Sequence, residues 1–230
     1  MVSFLLVPGA GGDAWYWHRV VPALAARGYD AVAVALPAGD DSAGLPEYAD
    51  AVVAAAGARS DLVLVGQSMA GLTIPLVFDR RPVRMLVLLN AMTPRPGESG
   101  GEWWGNTGFE QARRDQAERD GRRIEDDPEL LDAFFHDVPA EVSQEAFARG
   151  EPPQSGTPFA APWPMAAWPD VPTRFLAARD DRFFPVEFQR RVVSERLGIP
   201  VDEMPGGHLV ALSRPDELAD RLVGYAQELA

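Results

Sequence analysis

Short apolar runs rich in Val and Leu recur along this chain with helix-like stretches between them, and this alternation leaves few folds open to it. Val2–Val7, Asp30–Leu36, Asp61–Val65, Arg84–Asn90, Pro172–Ala178 and Pro200–Met204 read as strands. Trp17–Arg27, Leu45–Ala58, Met69–Asp79, Val186–Leu197 and Pro215–Leu229 carry helical spacing. A strand that is apolar on successive residues must be covered on both faces. Parallel strands joined by crossover helices meet that need. The expectation is an α/β protein with a mostly parallel six-stranded core sheet and helices on both faces.

The alternation breaks after Asn90 and resumes at Pro172. Between them the chain is rich in Pro, Gly, Trp and charge, with helical pieces at Phe109–Arg119 and Glu129–Asp137 and no strand signal. The Pro-dense stretch Pro152–Pro172 reads as an extended return path. A length of 230 residues suits one domain. The predicted division is therefore a core of residues 1–92 and 170–230, with residues 93–169 as a helical cap insertion.

Composition removes several chemistries. The chain has no cysteine, so disulfides, thiol nucleophiles and thiolate metal sites are excluded. All 21 basic residues are arginine, which excludes Schiff-base lysines and the P-loop lysine. The net charge of -13 disfavours nucleic acid and anionic membranes as partners. The first residues read as a strand and not as a leader, and no apolar run approaches a membrane span, so the expected location is cytoplasmic.

Gly66-Gln67-Ser68-Met69-Ala70-Gly71 follows the third strand and precedes a predicted helix. A serine held in a sharp strand-to-helix turn projects its hydroxyl above the sheet edge, and only small neighbours allow so close a turn. Ala70 stands where glycine is usual. The same string would also serve as an ordinary loop with a serine cap. The first strand ends in Pro8-Gly9-Ala10-Gly11-Gly12, a loop able to aim a backbone N–H at a developing oxyanion. Ala10 and Met69 are the expected oxyanion donors, with Gly9 against the substrate. A dinucleotide loop is the rival reading, but Gly9-Ala10-Gly11-Gly12-Asp13-Ala14 lacks the last glycine of that fingerprint.

Acyl transfer from Ser68 needs a histidine to carry its proton. Of His18, His136 and His208, the last follows the final strand, where open α/β sheets place such groups. The orienting acid is Asp180 or Asp181, both after the fifth strand. Position along the chain does not separate the two. The order Ser…Asp…His is that of α/β-hydrolases.

These motifs together resemble the α/β-hydrolase superfamily, in its small esterase-like branch related to plant methylesterases and hydroxynitrile lyases. The carriers are LLVPGAGGDAWYWHRVVPAL, GQSMAG, DDRFFP and GGHL. The resemblance implies the α/β-hydrolase fold and a catalytic Ser68, Asp181 and His208. In that family the acid lies in a D-x-x-x-P arrangement, which Asp181 and Pro185 match. Pro8-Gly9 departs from the family's His-Gly pair. The lyases carry threonine where Gly9 stands and lysine where Leu209 stands, so the resemblance implies hydrolysis over cyanohydrin cleavage.

The insertion concentrates aromatic residues. Trp103, Trp104, Phe134, Phe135, His136 and Trp163 are the expected substrate-binding residues, although such residues also pack a cap's own interior. The expected reaction is cleavage of a carboxylic ester or lactone of a medium-sized, largely apolar, uncharged small molecule, with no cofactor and no metal, by a monomer or homodimer. Carbon–carbon bond hydrolysis, a lactonase or cyclase step, and a catalytically silent binding module are the alternatives.

Overall fold

The computed structural model describes residues 2–126 and 130–229. Its six strands are β1 (Ser3–Val7), β2 (Asp30–Ala33), β3 (Leu62–Gln67), β4 (Val83–Leu89), β5 (Thr173–Ala178) and β6 (Val201–Met204). They form one sheet in the order β2-β1-β3-β4-β5-β6, and every pairing is parallel. The helices around it are α1 (Val20–Ala26), α2 (Leu45–Ala56), α8 (Val186–Leu197), α9 (Val210–Ser213) and α10 (Pro215–Gln227).

Each strand sends alternate side chains to opposite faces. Leu5, Val7, Leu62 and Leu64 pack on one side with α2 and α8. Phe4, Leu6, Val63 and Val65 pack on the other with α1 and α10. Between β4 and β5 lie α3 (Gly100–Thr107), α4 (Phe109–Arg119), α5 (Leu131–Phe135), α6 (Ala140–Ala148) and α7 (Thr157–Ala160). Glu129, the first residue of a predicted helix, lies outside the described residues. Trp103, Phe109 and Trp163 from this insertion belong to the same buried cluster as the sheet, so they are continuous with the main core.

The chain reverses direction of growth between β1 and β3. β1 pairs with β2 on one edge and β3 on the other, with Val7 opposite Gly66. The carboxyl ends of β1 and β3 are therefore neighbours at a topological switch point, where open α/β sheets bind ligands.

Two predicted elements are corrected, and one is the stretch expected to be extended over Pro152–Pro172, which holds the short helix Thr157–Ala160. The helix expected over Met69–Asp79 is instead two 3₁₀ turns, Ser68–Leu72 and Ile74–Val77. Pro75 has no N–H to donate, and the N–H groups of Thr73 and Leu76 reach back three residues, to Ala70 and Thr73. The second strand also stops early, at Ala33, although the Val34 N–H still reaches the Leu6 carbonyl at 2.9 Å.

The insertion is tied to α8 by a buried ion pair. Arg196 donates to both carboxylate oxygens of Glu98 and to the Thr93 carbonyl at 2.7 Å. Burial alone would raise the Glu98 pKa, but Arg196, Asn106 and the Arg95 N–H together hold it below the ordinary value. A depressed folded-state pKa gives stability that is present above the unfolded value and is lost as pH falls through the folded one. We expect Glu98→Gln to cost about 3 kcal/mol at neutral pH and to flatten part of the acid limb of stability, measured by urea unfolding from pH 7 down to pH 3. Equal pH dependence of variant and parent would contradict this.

Candidate active site

Ser68 begins the turn after β3 with φ of +54°, in the left-handed region that non-glycine residues avoid. The turn survives because its neighbours leave no room for anything larger. A Cβ on Gly71 would lie 1.9 Å from the Met92 carbonyl oxygen, and one on Gly66 would lie 2.8 Å from the Ile74 side chain. The Met92 N–H donates to the Ser68 carbonyl at 2.9 Å, locking the turn to the chain after β4. Ala70 is buried and fits. The close approach that demands glycine falls at position 71, which explains how alanine is tolerated at 70.

Gly9, after β1, packs against this turn. A Cβ there would lie 2.5 Å from Gln67 Oε1 and 2.9 Å from Ser68 Cβ. The Gly9 N–H donates to Gln67 Oε1 at 3.1 Å, and the Gly11 N–H to Gln154 Oε1 at 2.8 Å. No hydrogen bond from the Ala10 N–H is found among the described residues, and Ala10 is exposed. Met69 lies at the start of a 3₁₀ turn, where backbone N–H groups lack intrahelical acceptors. Gly9 thus lies against Ser68, and Ala10 and Met69 are the next residues along the two loops.

His208 and Asp181 meet in the interior. His208 Nδ1 lies 2.8 Å from Asp181 Oδ2, with both side chains almost wholly buried. The other carboxylate oxygen, Oδ1, accepts the Phe183 and Phe184 N–H groups, each at 2.8 Å. Three rings surround the imidazole: Phe134 at 5.2 Å, Phe183 at 5.0 Å and Phe184 at 5.2 Å between centroids. They hold the ring plane and keep water from its sides. Asp180 is exposed and turned to a different task. It accepts the Gly206 N–H at 2.9 Å, and its own N–H donates to the Gly206 carbonyl at 2.9 Å. His18 is stacked on Trp15.

The six insertion residues divide. Trp103 and Trp163 are fully buried, and their indole N–H groups donate to the Thr93 and Leu72 carbonyls at 3.2 and 2.9 Å. Phe135 packs on Phe147. His136 and Asp137 face Gly207, and both line a polar cleft of about 560 Å³ that Asp181 also borders. The Gly207 N–H donates to Asp137 at 2.8 Å. Trp104 and Phe134 are half-buried and stand over Phe183, which itself faces His208.

Several residues here are not marked by sequence pattern alone. Phe183 and Phe184 lie inside the D-x-x-x-P stretch, so their position was available. Gln67 and Asn90 carried no signal beyond standing at strand ends. Both amides reach the His208 carbonyl, at 3.4 and 3.3 Å.

Chemically the site offers a hydroxyl in a strained turn, a buried histidine–carboxylate pair, and backbone N–H groups at the adjoining loop. We expect Gly71→Ala to yield insoluble or unfolded protein and Ala70→Gly to fold, compared by circular dichroism and melting temperature. A folded, active Gly71→Ala protein would show that the Met92 contact does not set the turn.

Comparison with known proteins agrees with this architecture. The sequence signature of the alpha/beta hydrolase family matches residues 4–221. The chain is 32% identical to a probable esterase, PIR7A, of Oryza sativa subsp. indica, over 97% of this chain and 96% of the relative. It is also 32% identical to the esterase PIR7B of Oryza sativa subsp. japonica, over 98% of this chain and 96% of that one. Among solved structures, a pyrethroid hydrolase from Sphingobium faniae JZ-2 superposes with a TM-score of 0.76 at 24% identity, covering 99% of this chain and 98% of the other. By fold, by sequence signature and by these relatives, the chain belongs to the alpha/beta hydrolase family.

Proposed function

We propose that this protein is a serine hydrolase that cleaves a carboxylic ester or lactone of a medium-sized, largely apolar, uncharged molecule through an acyl-enzyme on Ser68. One observation carries the reading: the buried 2.8 Å contact between His208 Nδ1 and Asp181 Oδ2. A carboxylate bonded to Nδ1 leaves Nε2 as the free nitrogen to exchange a proton with a nucleophile. The serine at the end of β3 is the nucleophile that this pair serves. The two rice relatives named as esterases support ester cleavage as the reaction.

In this mechanism Ser68 Oγ attacks the carbonyl carbon as His208 Nε2 takes its proton. The carbonyl π electrons move to oxygen, and the N–H groups of Ala10 and Met69 hold that oxyanion. When the tetrahedral intermediate collapses, the bond to the leaving oxygen breaks and His208 returns the proton to it. Water then attacks the acyl-serine, with His208 as base, and releases the acid and free Ser68. Asp181 keeps the imidazole in one tautomer and orientation throughout.

The apolar preference rests on what stands around His208. Phe134, Phe183 and Trp104 form an aromatic wall beside it, with the Arg113 guanidinium over the Phe183 ring at 6.0 Å. The acidic net charge of -13 further disfavours anionic esters. Gly9 leaves no hydroxyl and Leu209 no ammonium near the site, so the groups that the resembling lyases carry there are missing.

A fluorophosphonate probe and a panel of activated esters test this reading. Wild type should label and turn over, and Ser68→Ala should do neither. Asp181→Asn should lower kcat by about 10³- to 10⁴-fold, against about tenfold or less for Asp180→Asn. A wild type that does not label, or an Asp180 effect larger than that of Asp181, would contradict the assignment.

A further inference from the structure

Asn90 is the first residue after β4 and is fully buried, with φ of +44°. Glycine adopts that backbone more readily than any other residue, so an asparagine there calls for a use of its side chain. The sheet does not supply one. The Asn90 backbone N–H already completes the β4–β5 ladder by donating to the Leu176 carbonyl at 3.0 Å.

The side chain instead joins the two loops that carry the acid and the histidine. Its Oδ1 accepts the Ala178 N–H at 2.7 Å, and its Nδ2 donates to the His208 carbonyl at 3.3 Å. Ala178 ends β5, and its carbonyl accepts the Asp181 N–H at 3.3 Å, so the acid is hung from the residue that Asn90 holds. Gln67 approaches the same His208 carbonyl at 3.4 Å while its Oε1 accepts the Gly9 N–H. Residues at the ends of β3 and β4 thus meet at one backbone carbonyl, that of the histidine, and their side chains tie it to the loop after β1 and to the end of β5.

We infer that Asn90 is a positioning residue: by spanning Ala178 and the His208 carbonyl it fixes the Asp181–His208 hydrogen bond, with Gln67 as the second donor that links this carbonyl to the Gly9 loop. The inference rests on the proposed hydrolase reading for its catalytic consequence. Its geometric content does not.

Asn90→Asp tests it most closely. That variant keeps an acceptor for the Ala178 N–H and replaces the donor to His208 with an oxygen facing an oxygen. Asn90→Gly keeps the backbone conformation and removes both bonds. In both, kcat on an activated ester should fall about 10- to 100-fold while KM stays within about twofold, since misplacing a catalytic group acts on the chemical step. The low-field proton resonance of the Nδ1–H between His208 and Asp181 should be sharp in wild type and broadened or lost in both variants. Gln67→Met should show a smaller loss of kcat, because Asn90 remains. Folded Asn90 variants with wild-type kcat and an unchanged resonance would overturn the inference. So would failure of both variants to fold, which would place the role of Asn90 in the sheet. A wild type that neither labels with fluorophosphonate nor turns over esters would count against the hydrolase reading alone, and the resonance would still decide the role of Asn90.

Discussion

Ser68 can hold a left-handed backbone only because the chain around it has been stripped to the smallest side chains. A Cβ on Gly71 would lie 1.9 Å from the Met92 carbonyl oxygen, and one on Gly9 would lie 2.9 Å from Ser68 Cβ. A non-glycine residue in that region costs of order 1–3 kcal/mol and persists where its surroundings over-determine it. Here the surroundings are the ends of β1, β3 and β4, brought side by side by the parallel register. The strained turn is thus a product of the whole sheet.

The histidine and its acid depend on the same strand ends. Asp181 leaves β5 and His208 follows β6, and these strands are adjacent. Backbone N–H groups of Phe183 and Phe184 fix one carboxylate oxygen and the imidazole occupies the other. Polar partners therefore surround the acid, while aromatic rings surround the histidine. The insertion contributes Phe134 to that aromatic shell, and its indoles anchor it to the main core through the Thr93 and Leu72 carbonyls. Insertion and sheet share one continuous interior.

Much of this was legible in the sequence. The strands showed themselves because buried parallel strands are apolar on successive residues, and each fell within a few residues of its expected span. The apolar spacing after Ser68 predicts one helix, whereas Pro75 and the tight packing of Gly71 favour 3₁₀ turns. The helix Gly100–Thr107 leaves no periodic signal, since its glycines weaken propensity; the Ser99–Glu102 capping box that starts it is its local mark in the sequence. Residue order leaves Asp180 and Asp181 open, and the D-x-x-x-P resemblance favours Asp181; the two also differ in burial and partners. One carboxylate is buried and reaches the imidazole, while the other accepts the Gly206 N–H. Asn90 and Gln67 were silent because a single polar residue at a strand end has no pattern until the strands are assembled.

The proposed reaction requires acylation of Ser68. Rapid quenching of wild type with an activated ester, followed by peptide mass spectrometry, measures this directly. The account predicts the mass of the acyl group on the peptide containing Ser68, accumulating in a burst and absent in Ser68→Ala. Ester turnover with no adduct on that peptide, or an adduct that persists in Ser68→Ala, would contradict it.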